Sequence, residues 1–185
     1  TLDSKIMENK IEDATQVLEY MSHTIDDFRG FFSPKKEKER FYLHELIENI
    51  LLISSNMFKN NNIEIVCNID KNIVLNSYLN ELQQVILNIL KNAKDALVEN
   101  NIKNPYIKIE AKVDEKNIYL SITDNAGGIK TEPINKIFEA YFTTKPQSQG
   151  TGIGLYMSKM ILEKSMKGKL FVENLEDKAR FTIKL

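Results

Sequence analysis

Disulfide bonding, metal capture by thiols and imidazoles, and electrostatic binding of nucleic acid all need residues that this chain has little of. Among 185 residues there are one cysteine and two histidines, and the formal net charge is −1. Cys67 alone closes no internal disulfide. Its place in the alternating stretch IEIVCNI reads as a small buried thiol in a reducing compartment. Cysteine and histidine occur at no metal-ligand spacing. The near-neutral balance removes the electrostatic case for nucleic acid or an anionic membrane. No apolar run approaches bilayer length and no signal peptide opens the sequence, so no membrane contact by these residues is expected. Glycine is scarce as well. Of seven, two sit in DNAGGI (Gly127, Gly128) and three in GTGIGL (Gly150, Gly152, Gly154).

What is present is an ordinary globular balance, with 42% hydrophobic and 28% charged residues, enough for a real core. Met7, Ile11, Ala14, Leu18, Met21, Ile25, Phe28 and Phe32 alternate by four and three, a heptad seam. A helix over them is roughly 40 Å long and needs another helix to cover its seam. Pro34 and a charged run stop it. Because a helical pattern is already under way at Thr1, the chain reads as a piece of something longer. From Phe41 the texture is mixed. FYLHELIENILLISSNMFKNN predicts one helix, IEIVCNI and IVLN predict strands, and LNELQQVILNILKNAKDALVEN a strong helix. YIKIEAKV and NIYLSITD form a hairpin turning at DEKN. A further helix runs to Ser165, and GKLFVEN with ARFTIKL makes a closing hairpin. The expected class is α+β, with helices packed on one face of a mostly antiparallel sheet.

Three places carry chemistry. On the helix from Leu79 to Glu99, a stripe of Glu81, Gln84, Asn88, Asn92, Asp95 and Glu99 lies beside the apolar face. Asn88 and Asn92 are one turn apart, although asparagine is a poor mid-helix residue. The stripe is either a solvated face or a pair of amide oxygens offered to a hard cation such as Mg²⁺. Asp124 ends a strand just before two glycines. It is either an ordinary turn or a carboxylate aimed at an exocyclic amine, with bare backbone beside a flat ring. GTGIGL leads into a helix and exposes backbone N–H groups to an anion, or is a plain flexible loop. It is neither a Walker loop nor a spaced G-x-G-x-x-G.

Taken in order, NILKNAKDA, DNAGGI, FEAYFTTK and GTGIGL resemble the N, G1, F and G2 boxes of the GHKL (Bergerat) ATP-binding fold, and most of all the catalytic domain of sensor histidine kinases. The resemblance covers roughly 41–185. It departs at Ala126, where the family often has glycine, so the backbone there must avoid positive φ. It implies ATP and Mg²⁺ as cofactors. Asn92 would be the metal ligand, and Asn88 would lie near the phosphates, with Lys145 beside it as the second catalytic residue. Asp124 would hold the adenine amine and Gly128 would line the base pocket. Gly150, Gly152 and Gly154 would serve the lid hinge and phosphates. Phe138 and Phe142 would anchor a lid over 129–149, unless they are core. Asp95, Thr144, Thr151, Ile153 and Leu155 complete the implied nucleotide-binding set. Residues 1–33 would be part of a dimerisation and phosphotransfer hairpin, 34–40 a linker, and 41–185 the ATP-binding catalytic domain.

ATP-hydrolysing relatives resemble one another in carrying glutamate at the first N-box position, where this chain has Asn88. An amide cannot take a proton, which favours phosphoryl transfer to a protein group. His23 and His44 each lack the Arg and Pro of the family's acceptor pattern, and MSHTIDDFRGFFSP resembles the second hairpin helix. The acceptor histidine is therefore expected upstream of Thr1. The implied partners are a response regulator receiver domain and a second copy joined through the N-terminal helix. The implied location is the cytoplasm, whether free or as the cytoplasmic part of a membrane-bound sensor. Two other readings stand beside this one: a GHKL regulatory kinase or nucleotide-binding module acting on a separate protein, and a purely structural helical dimeriser.

Overall fold

The computed structural model describes residues 37–146 and 150–185, with single helical positions at 10, 11, 15, 18 and 22 before them. The expected heptad helix, Pro34 and His23 otherwise lie outside the described residues. The two seam positions that are described, Ile11 and Leu18, are exposed.

From residue 37 onward the first regular element is a strand. β1 (Glu39–Tyr42) pairs antiparallel with β3 (Val74–Ser77) in a two-stranded sheet of its own. Only from Leu43 does the expected helix begin, and it breaks at Ser54 into α1 (Leu43–Ile53) and α2 (Ser55–Lys59). Ser54 Oγ donates to the Ile50 carbonyl at 2.5 Å, the back-bonding that competes with a helix's own ladder. The pairing of Phe41 with Leu75 has no local signal, so periodicity alone ran the helix too far toward the N-terminus.

The main sheet has the order β2-β4-β5-β7-β6, built from Glu64–Asn68, Tyr106–Val113, Ile118–Asp124, Lys178–Lys184 and Lys169–Leu175. Only the β2–β4 pair is parallel. The DEKN turn is fastened by Asp114, whose Oδ1 accepts from the backbone N–H groups of Lys116 at 2.8 Å and Asn117 at 2.7 Å. Alternation buries Ile107 and Ile109 on β4, Leu120 and Ile122 on β5, and Phe181 and Ile183 on β7. Against that face packs α3 (Leu79–Glu99) with Leu82, Val85, Ile86, Ile89, Leu90, Ala93 and Leu97. Each of the leucine, isoleucine and valine side chains contributes about 1.5–3 kcal/mol on burial. Glu81, expected on the polar stripe, is instead buried in the first turn of α3. The helix ends where Asn101 adopts φ 50°, a left-handed conformation that asparagine tolerates.

Cys67 corrects the sequence reading. It is exposed although it shares a face with Ile65, because β2 is an edge strand with no neighbouring strand on its outer side. The helix after GTGIGL runs as α4 (Gly154–Met160) and then widens into a π-helical turn at Ile161–Ser165. No helix among the described residues is long and apolar enough to cross a membrane.

Candidate active site

Asp124 follows Leu120 and Ile122 at period two, so strand geometry turns its carboxylate toward the core side of the sheet. It is 3% exposed, opposite Ile107 on β4 and Ala179 on β7. Oδ1 accepts from the Ala126 N–H at 2.9 Å. This bond and one from its own backbone N–H do not offset the loss of water, and burial pushes the carboxyl up to about 6. Beyond it, Gly127 and Gly128 take φ 98° and 72°, whereas Ala126 is not among the positive-φ residues. Asn174 on β6 bolts this loop down. Its Oδ1 accepts from the Ile129 N–H and its Nδ2 donates to the Ile129 carbonyl, both at 2.8 Å. Asn100, just past α3, donates to the Ala126 carbonyl at 2.7 Å.

Asp124 and Gly128 share one cavity of about 590 Å³ with Asn88, Asn92 and Asp95 of α3 and with Gly150, Thr151, Gly152, Gly154 and Leu155. That volume is in the range of small-molecule and cofactor pockets. Phe142, Thr144 and Lys145 close it from the segment between β5 and α4. Ile153 differs from the sequence expectation: it is 3% exposed and is not on the cavity wall. Phe138 is core, packed edge-on against Phe181 with ring centroids 6.4 Å apart. Of the expected lid over 129–149, residues 134–138 form a 3-10 turn, and 147–149 lie outside the described residues.

Two glycines of GTGIGL are held by contact. Gly152 takes φ 66°, its carbonyl accepts from the Tyr141 N–H at 3.0 Å, and a Cβ there would run into the Tyr141 carbonyl carbon. A Cβ on Gly154 would lie 2.5 Å from Asn88 Oδ1. Asn88 Nδ2 donates to Ser158 Oγ at 2.9 Å, and Ser158 donates to the Gly154 carbonyl at 2.9 Å. The Asn92 amide is half-buried on the cavity wall and makes no side-chain hydrogen bond among the described residues. Asp95 is engaged by Lys94 and by Lys145, whose Nζ lies 2.6 Å from Oδ2. Burial works to raise the Asp95 carboxyl, but the two lysines outweigh it and hold the group below the ordinary carboxylate range. Ser158, Asn174 and Asn100 were not singled out from the sequence. Ser158 has a faint signal, a polar residue one turn after Gly154. Asn174 has none, since only strand register brings it to Gly128.

His44 does not join this group. It sits in the first turn of α1 against the Tyr42 ring, with a buried Nδ1 that has no hydrogen-bond partner.

Comparison with known proteins agrees with this geometry. Residues 78–185 match the family described as histidine kinase-, DNA gyrase B-, and HSP90-like ATPase. The chain belongs to this family, and its fold is the GHKL fold of an ATP-binding domain. It is 32% identical over 162 residues to the two-component sensor PprA of Pseudomonas aeruginosa, covering 84% of this chain and 18% of that protein. It is 37% identical over 103 residues to the sensor histidine kinase ZraS of Escherichia coli O157:H7, covering 55% of this chain and 21% of that one. The nucleotide-free catalytic domain of histidine kinase ThkA superposes with a TM-score of 0.71 at 28% identity, covering 80% of this chain and 95% of that one. The chain thus spans about a fifth of the length of these curated relatives.

Proposed function

We propose that this chain is the catalytic region of a two-component sensor histidine kinase. It would bind ATP with Mg²⁺ and deliver the γ-phosphate to a histidine other than His23 and His44, for relay to an aspartate of a response regulator receiver domain. The observation that carries this reading is the single cavity in which Asp124 and the α3 amides face one ligand-sized space. Asp124 accepts the adenine amine, and Gly128 lets the backbone approach the ring. Gly150, Thr151, Gly152 and the first turn of α4 at Gly154 and Leu155 offer backbone to the phosphates. Phe142 and Thr144 close over them, and Lys145, held by Asp95, is a cation within reach of the same space.

The donor set suits Mg²⁺ held jointly with phosphates. Among the described residues no group of three or more His, Cys, Asp or Glu could hold a metal, while the Asn92 amide oxygen stands unengaged at the wall. When bound, Mg²⁺ neutralises phosphate charge during transfer. Asn92 would ligate it and Asn88 would orient the phosphates beside it. The choice of kinase over hydrolase rests on proton bookkeeping. Asn88 cannot deprotonate a water, and Asp95, tied to Lys94 and Lys145, is a poor base. Residues 1–33 would supply a dimerising helix and 34–40 the link to the catalytic domain, and an ATP-using kinase places all of this in the cytoplasm.

Calorimetry with ATP and Mg²⁺ tests the reading. The wild type should bind, Asp124→Ala should abolish binding of every adenine nucleotide, and Asn92→Ala should remove only the Mg²⁺-dependent part. Incubation with γ-labelled ATP should leave this chain unlabelled while a longer chain takes label. Label at His23 or His44 would place the acceptor inside instead. A wild type with no adenine-nucleotide affinity would sink the proposal.

A further inference from the structure

Ser158 is fully buried on α4, one turn after Gly154, and takes no part in the chemistry described above. A serine hydroxyl has one proton and two lone pairs. Here the proton goes to the Gly154 carbonyl at 2.9 Å, which leaves Oγ only acceptor capacity. Asn88 Nδ2, at 2.9 Å, has only protons to offer. The bonds therefore run one way, from the Asn88 amide nitrogen through the hydroxyl to the Gly154 carbonyl. Turning the amide over would set Oδ1 against Oγ and draw the hydroxyl proton away from Gly154.

This direction matters because the two faces of an asparagine amide are chemically opposite. The oxygen accepts a hydrogen bond or ligates a cation, and the nitrogen repels a cation. The amide torsion is broad and has little preference of its own. Among the described residues Asn88 makes one side-chain hydrogen bond, the one to Ser158. With Nδ2 so occupied, Oδ1 lies toward the first turn of α4, 2.5 Å from where a Cβ on Gly154 would be. Both Asn88 and Gly154 are on the cavity wall.

We propose that Ser158 is a positioning residue that fixes the Asn88 amide with its oxygen against the first turn of α4, on the wall of the cavity. It ties the orientation of an α3 side chain to the backbone of the glycine-led turn of α4. The inference rests on the reading that Asn88 faces the phosphates and their metal. Removing Ser158 leaves the amide free to rotate, so an ill-placed N–H meets the metal-bearing end of the ligand for part of the time.

The test uses Ser158→Ala and Ser158→Cys, the second filling the site with a slightly larger group that bonds only weakly. Each is measured for adenosine affinity, and for ATP affinity in Mg²⁺ and in EDTA. Both variants should reduce the Mg²⁺-dependent gain in ATP affinity by about tenfold, the usual effect of losing an outer partner of a metal-site group. Adenosine affinity should stay within about twofold, since Asp124 and Gly128 are untouched, and distant sites act independently. In ¹⁵N-labelled protein the Asn88 side-chain amide protons should be slow to exchange in the wild type and fast in both variants. Adding Asn88→Ala to Ser158→Ala should lower the Mg²⁺ gain no further than Asn88→Ala alone. An unchanged Mg²⁺ gain with unchanged Asn88 exchange would overturn the proposal. So would an equal loss of adenosine and ATP affinity with a fall in melting temperature, which would make Ser158 a packing residue only. A wild type without any Mg²⁺-dependent gain would instead overturn the reading of the site, and the positioning role with it.

Discussion

Lys145 Nζ lies 2.6 Å from Asp95 Oδ2, so the cation nearest the loop end of the cavity is held by a helix carboxylate fifty positions earlier in the chain. The pair ties the segment before GTGIGL to α3. Both side chains are only about one-fifth exposed, so each charge has already lost much of its water and the net worth of the pair is smaller than its attraction alone. A phosphate can therefore compete for the lysine.

That competition has a sign. Lys145→Ala should weaken ATP binding by about five- to tenfold, with adenosine little affected. Asp95→Asn frees the ammonium and should tighten ATP by up to about fivefold. Calorimetry on both variants decides, and a weaker ATP complex in Asp95→Asn would make the carboxylate a direct contact to the ligand. The lowered Asp95 carboxyl also means that the pair is present above the ordinary carboxylate range and is lost only as pH falls through the depressed value.

Asp124 behaves in the opposite direction. Burial pushes its carboxyl up to about 6 in the fold, above the ordinary carboxylate value of 3.8. The folded state thus holds a proton that the unfolded chain has released, and stability falls as pH rises between those values. Asp124→Asn, which keeps an oxygen for the Ala126 N–H, should stabilise the domain at pH 7.5 by on the order of 2 kcal/mol and much less at pH 4. The same change should cost at least about tenfold in ATP affinity, because a neutral amide accepts from an amine more weakly. Thermal melts at the two pH values, with calorimetry, check both halves.

Asn174 holds the Ile129 peptide by two bonds, each worth about 0.5–1.5 kcal/mol net. Asn174→Ala should lower the melting temperature by several degrees and speed hydrogen exchange at the Ile129 amide. It should also weaken adenosine and ATP alike, because Gly128 moves with the loop.

Gly152→Ala meets both a left-handed φ and the Tyr141 carbonyl. The backbone must yield at a cost of about 1–3 kcal/mol. ATP affinity should fall by at least about tenfold, and the denaturant midpoint should drop by the amount that cost implies, because only the folded state carries the strain.

Much of this was legible in local pattern. Period-two alternation turns Asp124 inward with Leu120 and Ile122, and helical period aligns Asn88 with Asn92. Glycines at Gly152 and Gly154 mark places where backbone meets something closely. Such features depend on residues a few positions apart, so composition and spacing determine them. Tertiary structure decided the rest. It paired β1 with β3, exposed Cys67 on an edge strand, withdrew Ile153 from the cavity, and gave Asn88, Lys145 and Ile129 their partners in Ser158, Asp95 and Asn174. A side chain's hydrogen-bond or ion partner depends on which elements pack together and in what register. That choice is made by burial of the whole core, and no short stretch of the chain carries it.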